Sequence, residues 1–368
     1  MDTAQTRDKP VTGPARSVYD AVSDQLTALI PRFGLEAWQP QISQVYEDIC
    51  RDTLAFPFGT RPDGASRLNQ DGTPFQYAVT LGPAPLHSLQ FISEAGLTGI
   101  NLSGAERLRA NRACMDTIAR RLKAETELSG ISGLLDRLAP ARNVDLLADP
   151  AGAFWIGVSF TAWKEPQIRI YTNAIWGSEK DRWNRLRLFA SSFGALEAWQ
   201  EIERRLAQDM KPLGTAITIG GKNPPSGRIY LTAYGKHMGY YEELAGATSK
   251  ASFKGILQQF GRCILGDDYI YPTQTAVCSY GFGAGPGVDF KFELCAHCLF
   301  ASDREAESRL QCWFSIANLA PADYNNLLGV LSEGQLSRSA PELHCYVGVG
   351  LKQENPYSTI YLKPKITA

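Results

Sequence analysis

Apolar periodicity divides the chain into five repeats of one order, two helical patterns followed by two short strand patterns. Helical spacing comes first in Val22, Leu26, Leu29 and Ile30, then in Trp38, Ile42, Val45 and Ile49. Two alternating runs follow, "PFQYAVTL" (74–81) and "LHSLQFIS" (86–93), joined by a Gly-Pro turn. Helices at 104–124 and 131–139 then precede "FWIGVSFTAW" (154–163) and "QIRIYTNA" (167–174). Helices near 179–193 and 195–208 precede "TAITIG" (215–220) and "GRIYLTAY" (227–234). Those near 240–246 and 249–265 precede "TAVCSYGF" (275–282) and "VDFKFELCAH" (288–297). The last pair, 304–318 and 321–332, precedes "LHCYVGVGLK" (343–352) and "YSTIYLKP" (357–364).

Each unit is about 70 residues long, beyond the common solenoid repeats. The hairpin connections are short, which favours antiparallel pairing. A sheet of so many strands curls or closes, and closure removes its edges. The expected fold is therefore α+β: a closed ten-stranded antiparallel β-barrel around a solvent-filled chamber, with the helix pairs outside. One domain is expected over 17–368, after a flexible lead-in over 1–16.

The strand faces specify an inverted polarity. One strand sets Gln167, Arg169, Tyr171 and Asn173 against Ile168, Ile170 and Thr172. Others set Arg228 and Tyr230 against Ile229 and Leu231, and Asp289, Lys291 and Glu293 against Phe290, Phe292 and Leu294. Near the end of the chain, Tyr357, Thr359, Tyr361 and Lys363 oppose Ser358, Ile360 and Leu362. Helices outside take the apolar faces, so the polar faces point into a lumen too wide for side chains to fill.

That lumen is expected to hold Arg169, Arg228 and Lys291 with Tyr171, Tyr230, Tyr346 and Tyr361. Guanidinium forks, an ammonium and phenol hydroxyls suit an oxygen-rich anion such as a diphosphate. Tyrosine rings also attract a delocalised carbocation. Trp155 and Trp163 share a strand face with Gly157, Ser159 and Thr161, a flat platform for an aromatic guest.

Other chemistries fit poorly. A formal net charge of −1 provides no field for nucleic acid or an anionic membrane. The first residues lack the apolar core of a signal peptide, and no apolar run reaches membrane-spanning length, so a cytoplasmic protein is expected, monomer or homodimer. The eight cysteines read as reduced, small buried hydrophobes. "CAHC" (Cys295, Cys298) lies in a strand pattern without a second CxxC, and the four histidines share no ligand spacing. "GFGAGPG" (281–287) is followed by a strand, not a helix N-terminus, and reads as a hairpin turn. No GxSxG elbow occurs, and the basic face of "ERLRANRACMDTIARRLKAE" reads as a solvated helix surface.

The order of these elements resembles the ABBA-type aromatic prenyltransferases, specifically bacterial relatives of the dimethylallyltryptophan synthase family. The likeness runs from about Leu68 to Leu362. "DGTPFQYAVTL" is similar to the family's opening strand, "RIYTNAIWG" and "GRIYLTAY" to its diphosphate strands, and "CSYGFGAGPGVDFKFELCAHCLFASDREAESRL" to its fourth hairpin and following helix. "HCYVGVGLKQENPYSTIYLKP" is similar to its closing hairpin. The resemblance implies transfer of a dimethylallyl or longer prenyl group from its diphosphate to an electron-rich arene, an indole, tryptophan-derived or related small molecule of secondary metabolism. It implies no essential metal and no cofactor beyond the prenyl diphosphate. No DDxxD motif is present, and "GDDYIYP" (Asp267, Asp268) reads as a turn.

By position, Arg169, Tyr171, Arg228, Tyr361, Tyr346 and Lys291 match cationic or tyrosine positions of the pattern. The departures are specific. The family's first-strand glutamate, which accepts from the acceptor's ring N–H, stands here as Gln76, and a second-strand arginine stands as Gln90. The lysine and tyrosine after the third-unit arginine stand as Tyr230 and Thr232. Gln76 orients an acceptor through its oxygen or its NH₂ but is a poor base, so the proton acceptor is left unassigned. Lys236 and Lys363 are candidates to restore lost positive charge. Two other classes remain: a carrier of an aromatic or isoprenoid ligand, and a scaffold whose lumen holds water. A carrier of neutral lipid has no use for the converging Arg169, Arg228 and Tyr361.

Overall fold

The computed structural model describes residues 16–60, 66–94, 104–139, 154–248, 252–266, 276–283, 287–352 and 355–366. The first helix pair is α1 (Val18–Arg32) and α2 (Gln39–Cys50), followed by β1 (Phe75–Leu81) and β2 (Ser88–Ser93). Next come α3 (Gly104–Arg121), α4 (Glu125–Leu138), β3 (Phe154–Thr161) and β4 (Lys164–Asn173). The third unit is α5 (Glu179–Ser192), α6 (Leu196–Glu203), β5 (Lys211–Ile219) and β6 (Ser226–Thr232). The fourth is α7 (Met238–Thr248), α8 (Ser252–Leu265), β7 (Ala276–Phe282) and β8 (Asp289–Cys295). The last is α9 (Asp303–Ile316), α10 (Ala322–Leu331), β9 (His344–Lys352) and β10 (Asn355–Leu362). Every strand pairs antiparallel with its neighbour in the chain, and β1 pairs with β10, so the ten-stranded barrel is closed as the repeat implies.

The outward strand faces are the core. Phe91, Ile170, Ile217, Ile229, Phe292 and Val347 are fully buried and belong to one continuous cluster with the helices. Each such side chain contributes roughly 1.5–3 kcal/mol on burial. A second, small cluster lies inside the barrel, formed by Leu68, Ala78, Ile92, Cys345 and Tyr361. Capping boxes open α1 (Ser17 with Asp20) and α5 (Ser178 with Asp181) and satisfy their first N–H groups.

Several boundaries move. α4 starts at Glu125, not 131, because Leu128 extends the buried stripe of Ile131, Leu135 and Leu138 by a turn. β3 ends at Thr161, short of 163, because the chain turns there into β4. β8 ends at Cys295 and passes into a single helical turn, Ala296–Leu299, so "CAHC" is not extended as expected. Its thiols lie 3.3 Å apart, and all eight cysteines are free. β7 and β8 pair antiparallel, and 284–286 of "GFGAGPG", where the turn is expected, lie outside the described residues. Asp267, Asp268 and all but Arg16 of the 1–16 lead-in lie outside the described residues. Among the described residues, no helix is long and apolar enough to cross a membrane.

One buried polar knot ties the last unit together. Asp303, at the start of α9 and fully buried, accepts from the backbone N–H groups of Glu342, Leu343 and His344 at the entry to β9. His344 Nδ1 lies 2.8 Å from its carboxylate, and His344 Nε2 lies 2.9 Å from the Tyr324 hydroxyl on α10. A carboxylate only accepts, so Nδ1 carries a proton. Burial alone would raise the Asp303 carboxyl; the contacts from His344 and the backbone outweigh it and hold the group below its ordinary value of 3.8.

A depressed carboxylate stabilises the fold above the unfolded-state value, and that contribution disappears as pH falls through the folded one. Acid titration of unfolding is thus expected to show stability falling below about pH 4. Asp303→Ala, which strands three N–H groups and the imidazole, is expected to cost about 3–5 kcal/mol in urea unfolding at neutral pH. A variant with the wild-type midpoint would show that this knot does not secure β9.

Candidate active site

The inward faces enclose a cavity of about 270 Å³ at the barrel end where even-numbered strands finish. Its wall includes Gln76 of β1, Ile92 of β2, Trp155 of β3, Tyr171 of β4, Tyr230 of β6 and Glu293 of β8. Tyr346 and Tyr361 complete it from β9 and β10. One pleat deeper, two residues earlier on the same strands, stand Arg169 (before Tyr171), Arg228 (before Tyr230) and Lys291 (before Glu293). The period of two thus stacks a cationic floor beneath an aromatic wall.

Arg169 and Arg228 are held by the next strand, and Lys291 by its own strand and by β10. Arg169 Nε donates to Thr218 Oγ1 at 3.2 Å. Arg228 donates to Ser279 Oγ at 3.0 Å and is ion-paired with Asp289. Lys291 Nζ donates to Glu293 Oε1 at 2.7 Å and to the Tyr361 hydroxyl at 3.1 Å. Burial lowers the Lys291 pKa, and nearby Arg228 and Arg169 add to that, while Glu293 opposes it. Burial also pushes the phenols of Tyr230, Tyr346 and Tyr361 upward, so they remain neutral hydroxyls able to donate. Tyr171 faces Tyr230 with ring centroids 6.2 Å apart, and Tyr346 meets Tyr361 edge-on at 6.3 Å.

Glycines make room for this lining. A Cβ on Gly281 would lie 2.7 Å from Arg228 Nη2, and one on Gly348 2.8 Å from Glu293 Cγ. The Tyr357 ring lies over Gly350, where a Cβ would collide with it.

Gln76, 3% exposed, has a fixed orientation. Its Nε2 donates to the Leu68 carbonyl at 3.0 Å and to Asn69 Oδ1 at 2.7 Å. A backbone carbonyl only accepts, so the nitrogen must face it. Asn69 is fixed likewise, its Nδ2 donating to the carbonyls of Thr73 and Phe75 and its Oδ1 receiving the Cys345 thiol. Both N–H groups of Gln76 are used, and its Oε1 is the part of the amide available to the chamber, an acceptor.

The structure puts Gln76, Trp155, Tyr171, Tyr230, Tyr346 and Tyr361 in the cavity wall, while Arg169, Arg228 and Lys291 stand one pleat deeper on the same strands and are not part of its lining. Trp163 is a correction. It sits on the β3–β4 turn, 60% exposed, edge-on to His87 at 5.4 Å, and takes no part in the wall. Trp155 alone of the pair faces the cavity, its indole N–H donating to Glu94 at 3.3 Å. Lys236 and Lys363 are each committed to a carboxylate, Asp209 at 3.0 Å and Asp71 respectively. Gln90 Nε2 reaches the Tyr171 hydroxyl at 3.4 Å. Asp289, Glu293 and Tyr357 gained no role from the sequence, although the alternation puts them on the inward face. Among the described residues, no group of three or more His, Cys, Asp or Glu could hold a metal ion.

No protein-family model matches the chain, and the search of curated proteins finds no relative. Solved structures do match over nearly its whole length. PriB, in a binary complex with product diphosphate, superposes with a TM-score of 0.83 at 19% identity, covering 96% of this chain and 97% of its own. 5-Dimethylallyltryptophan synthase from Streptomyces coelicolor gives 0.80 at 20% identity, with 96% and 99% covered. 6-Dimethylallyltryptophan synthase from Micromonospora olivasterospora, in complex with DMASPP and Trp, gives 0.81 at 17% identity, with 96% and 99% covered. The chain has the fold of these prenyltransferases, the barrel that the sequence resemblance implies.

The close approach at Gly350 generates a test. Gly350→Ala must displace the Tyr357 ring within a packed lining, and a cost of about 1–3 kcal/mol is expected in urea unfolding. An unchanged midpoint would mean that the Tyr357 ring moves aside freely.

Proposed function

We propose that this chain is an aromatic prenyltransferase of the ABBA type, carrying a dimethylallyl or longer prenyl group from its diphosphate to an electron-rich aromatic acceptor, an indole or tryptophan derivative. The observation that carries this reading is the layering of one chamber. Tyrosines, an indole face and a fixed amide oxygen line the cavity, and three cations stand one pleat deeper on the inward faces of the same strands. Neighbours of the same fold solved with product diphosphate, and with DMASPP and Trp, support the choice of substrates.

The residues suit each stage of an electrophilic substitution. Arg169, Arg228 and Lys291, with the hydroxyls of Tyr171, Tyr230, Tyr346 and Tyr361, would bind the diphosphate and stabilise its charge as the allylic C–O bond ionises. The phenol rings would shelter the cation. Trp155 and the Gln76 oxygen would set an aromatic ring and its N–H against that cation, so proximity replaces a bimolecular encounter. A carrier of neutral lipid would bury these charges to no purpose, at a cost in desolvation. Ionisation in this scheme relies on protein donors, and no essential metal is proposed. We place the barrel domain over 17–368 in the cytoplasm, acting as a monomer or homodimer.

Indole, L-tryptophan and other aromatics, incubated with dimethylallyl or geranyl diphosphate and followed by mass spectrometry, are expected to yield prenylated product in EDTA as in buffer. No product with any pair would overturn the reading, and loss in EDTA restored by magnesium would overturn its metal-free part.

Gln76→Ala is expected to raise the acceptor KM about tenfold, the worth of one neutral hydrogen bond, with the prenyl diphosphate KM unchanged. Equal acceptor KM values and identical products would reduce Gln76 to lining.

A further inference from the structure

Prenyl transfer to an arene ends with a proton to remove, and the lining offers few places to put it. Arginines carry no acceptor, and the Gln76 amide is a weak base. The wall tyrosines Tyr230, Tyr346 and Tyr361 are kept protonated by burial. Among the described residues that line the cavity, Glu293 is the one carboxylate. It is 5% exposed, leans over Gly348, and binds Lys291 through Oε1 at 2.7 Å. Its Oε2 has no hydrogen-bond partner among the described residues and is not sealed from the cavity.

We propose that Glu293 Oε2 is the base that takes the ring proton from the prenylated acceptor, an inference that rests on the prenyl-transfer reading. Once the allylic cation has added, the attacked ring carbon bears both the new C–C bond and its hydrogen. The C–H bond breaks, its electron pair returns to the ring, and the proton passes to Oε2. It leaves to water after product departs. The ion pair with Lys291 serves this role in two ways. It holds the side chain in place, and it withdraws charge from the carboxylate, which tempers capture of the allylic cation as an ester.

Glu293→Gln separates basicity from position, because its amide oxygen can still accept from Lys291. The probe is dimethylallyl diphosphate with ring-deuterated L-tryptophan, or the ring-deuterated form of whichever acceptor the screen returns. The variant is expected to lose about a hundredfold in kcat, the usual worth of a positioned base, with both KM values little changed. It should also show a primary isotope effect that the wild type lacks, because proton removal has become slow. Should Glu293→Gln fail to fold, Glu293→Asp, which keeps the charge but withdraws it by one methylene, is expected to show the same isotope effect. Wild-type kcat in Glu293→Gln, or a lowered kcat with no isotope effect in either variant, would overturn the assignment. A wild type that prenylates nothing would instead refute the underlying reaction.

Discussion

Everything in this molecule depends on which face of the sheet the helices cover. All ten strands offer an apolar face to a surrounding layer of helices, and closure leaves the other faces to one another. A barrel of this girth is too wide for side chains to meet across its axis, so the centre stays open. Polar residues that would be ordinary on a washed surface become the walls of a chamber. Arg228 illustrates the consequence: it alternates with the fully buried Ile229 and Leu231, and the same pleat that buries them outside aims it inward.

An enclosed lining must satisfy itself while it waits for a ligand. Arg169, Arg228 and Lys291 are paired in part with carboxylates of the same inward faces, Arg228 with Asp289 and Lys291 with Glu293. The pairing keeps the cations oriented, which is the condition for electrostatic help at no reorganisation cost. It also means that any anion binding at Arg228 would compete with Asp289. The charge presented on these inward faces is therefore set by anions as much as by cations.

Much of this was legible in the sequence because alternation has a period of two. It assigns each residue a face, and so the barrel and the polar lumen could be read, along with part of the lining, Gln76, Trp155, Tyr171, Tyr230, Tyr346 and Tyr361. Alternation does not say where a strand stops. Trp163 has the parity of the platform but follows Thr161, where the chain turns, and so stands in solvent. Nor does it reveal partners across strands. Asp289 and Glu293 could be placed inward beside Lys291, yet the pairing of Arg228 with Asp289 depends on β6 and β8 flanking β7, with Gly281 opposite Arg228. Glycines such as Gly348 and Gly350 carry no pattern of their own; their use is visible only once the side chains over them are placed.

The amide at position 76 shows how a single departure is embedded in its surroundings. Where the resembled family places a carboxylate, this chain places Gln76 between two acceptors, the Leu68 carbonyl and Asn69 Oδ1. A carboxylate there would face both oxygens with no hydrogen to give. Asn69 cannot turn to help, because its own Nδ2 is held by the carbonyls of Thr73 and Phe75. The segment before β1 is thus built for a donor, and the residue that fills it keeps an oxygen for the chamber. Such an oxygen can fix an N–H but cannot carry away a proton. In the proposed reaction, orientation and proton removal, which one carboxylate could combine, would be divided between two residues on different strands. β1 holds the amide and β8 the carboxylate, and both line the same cavity.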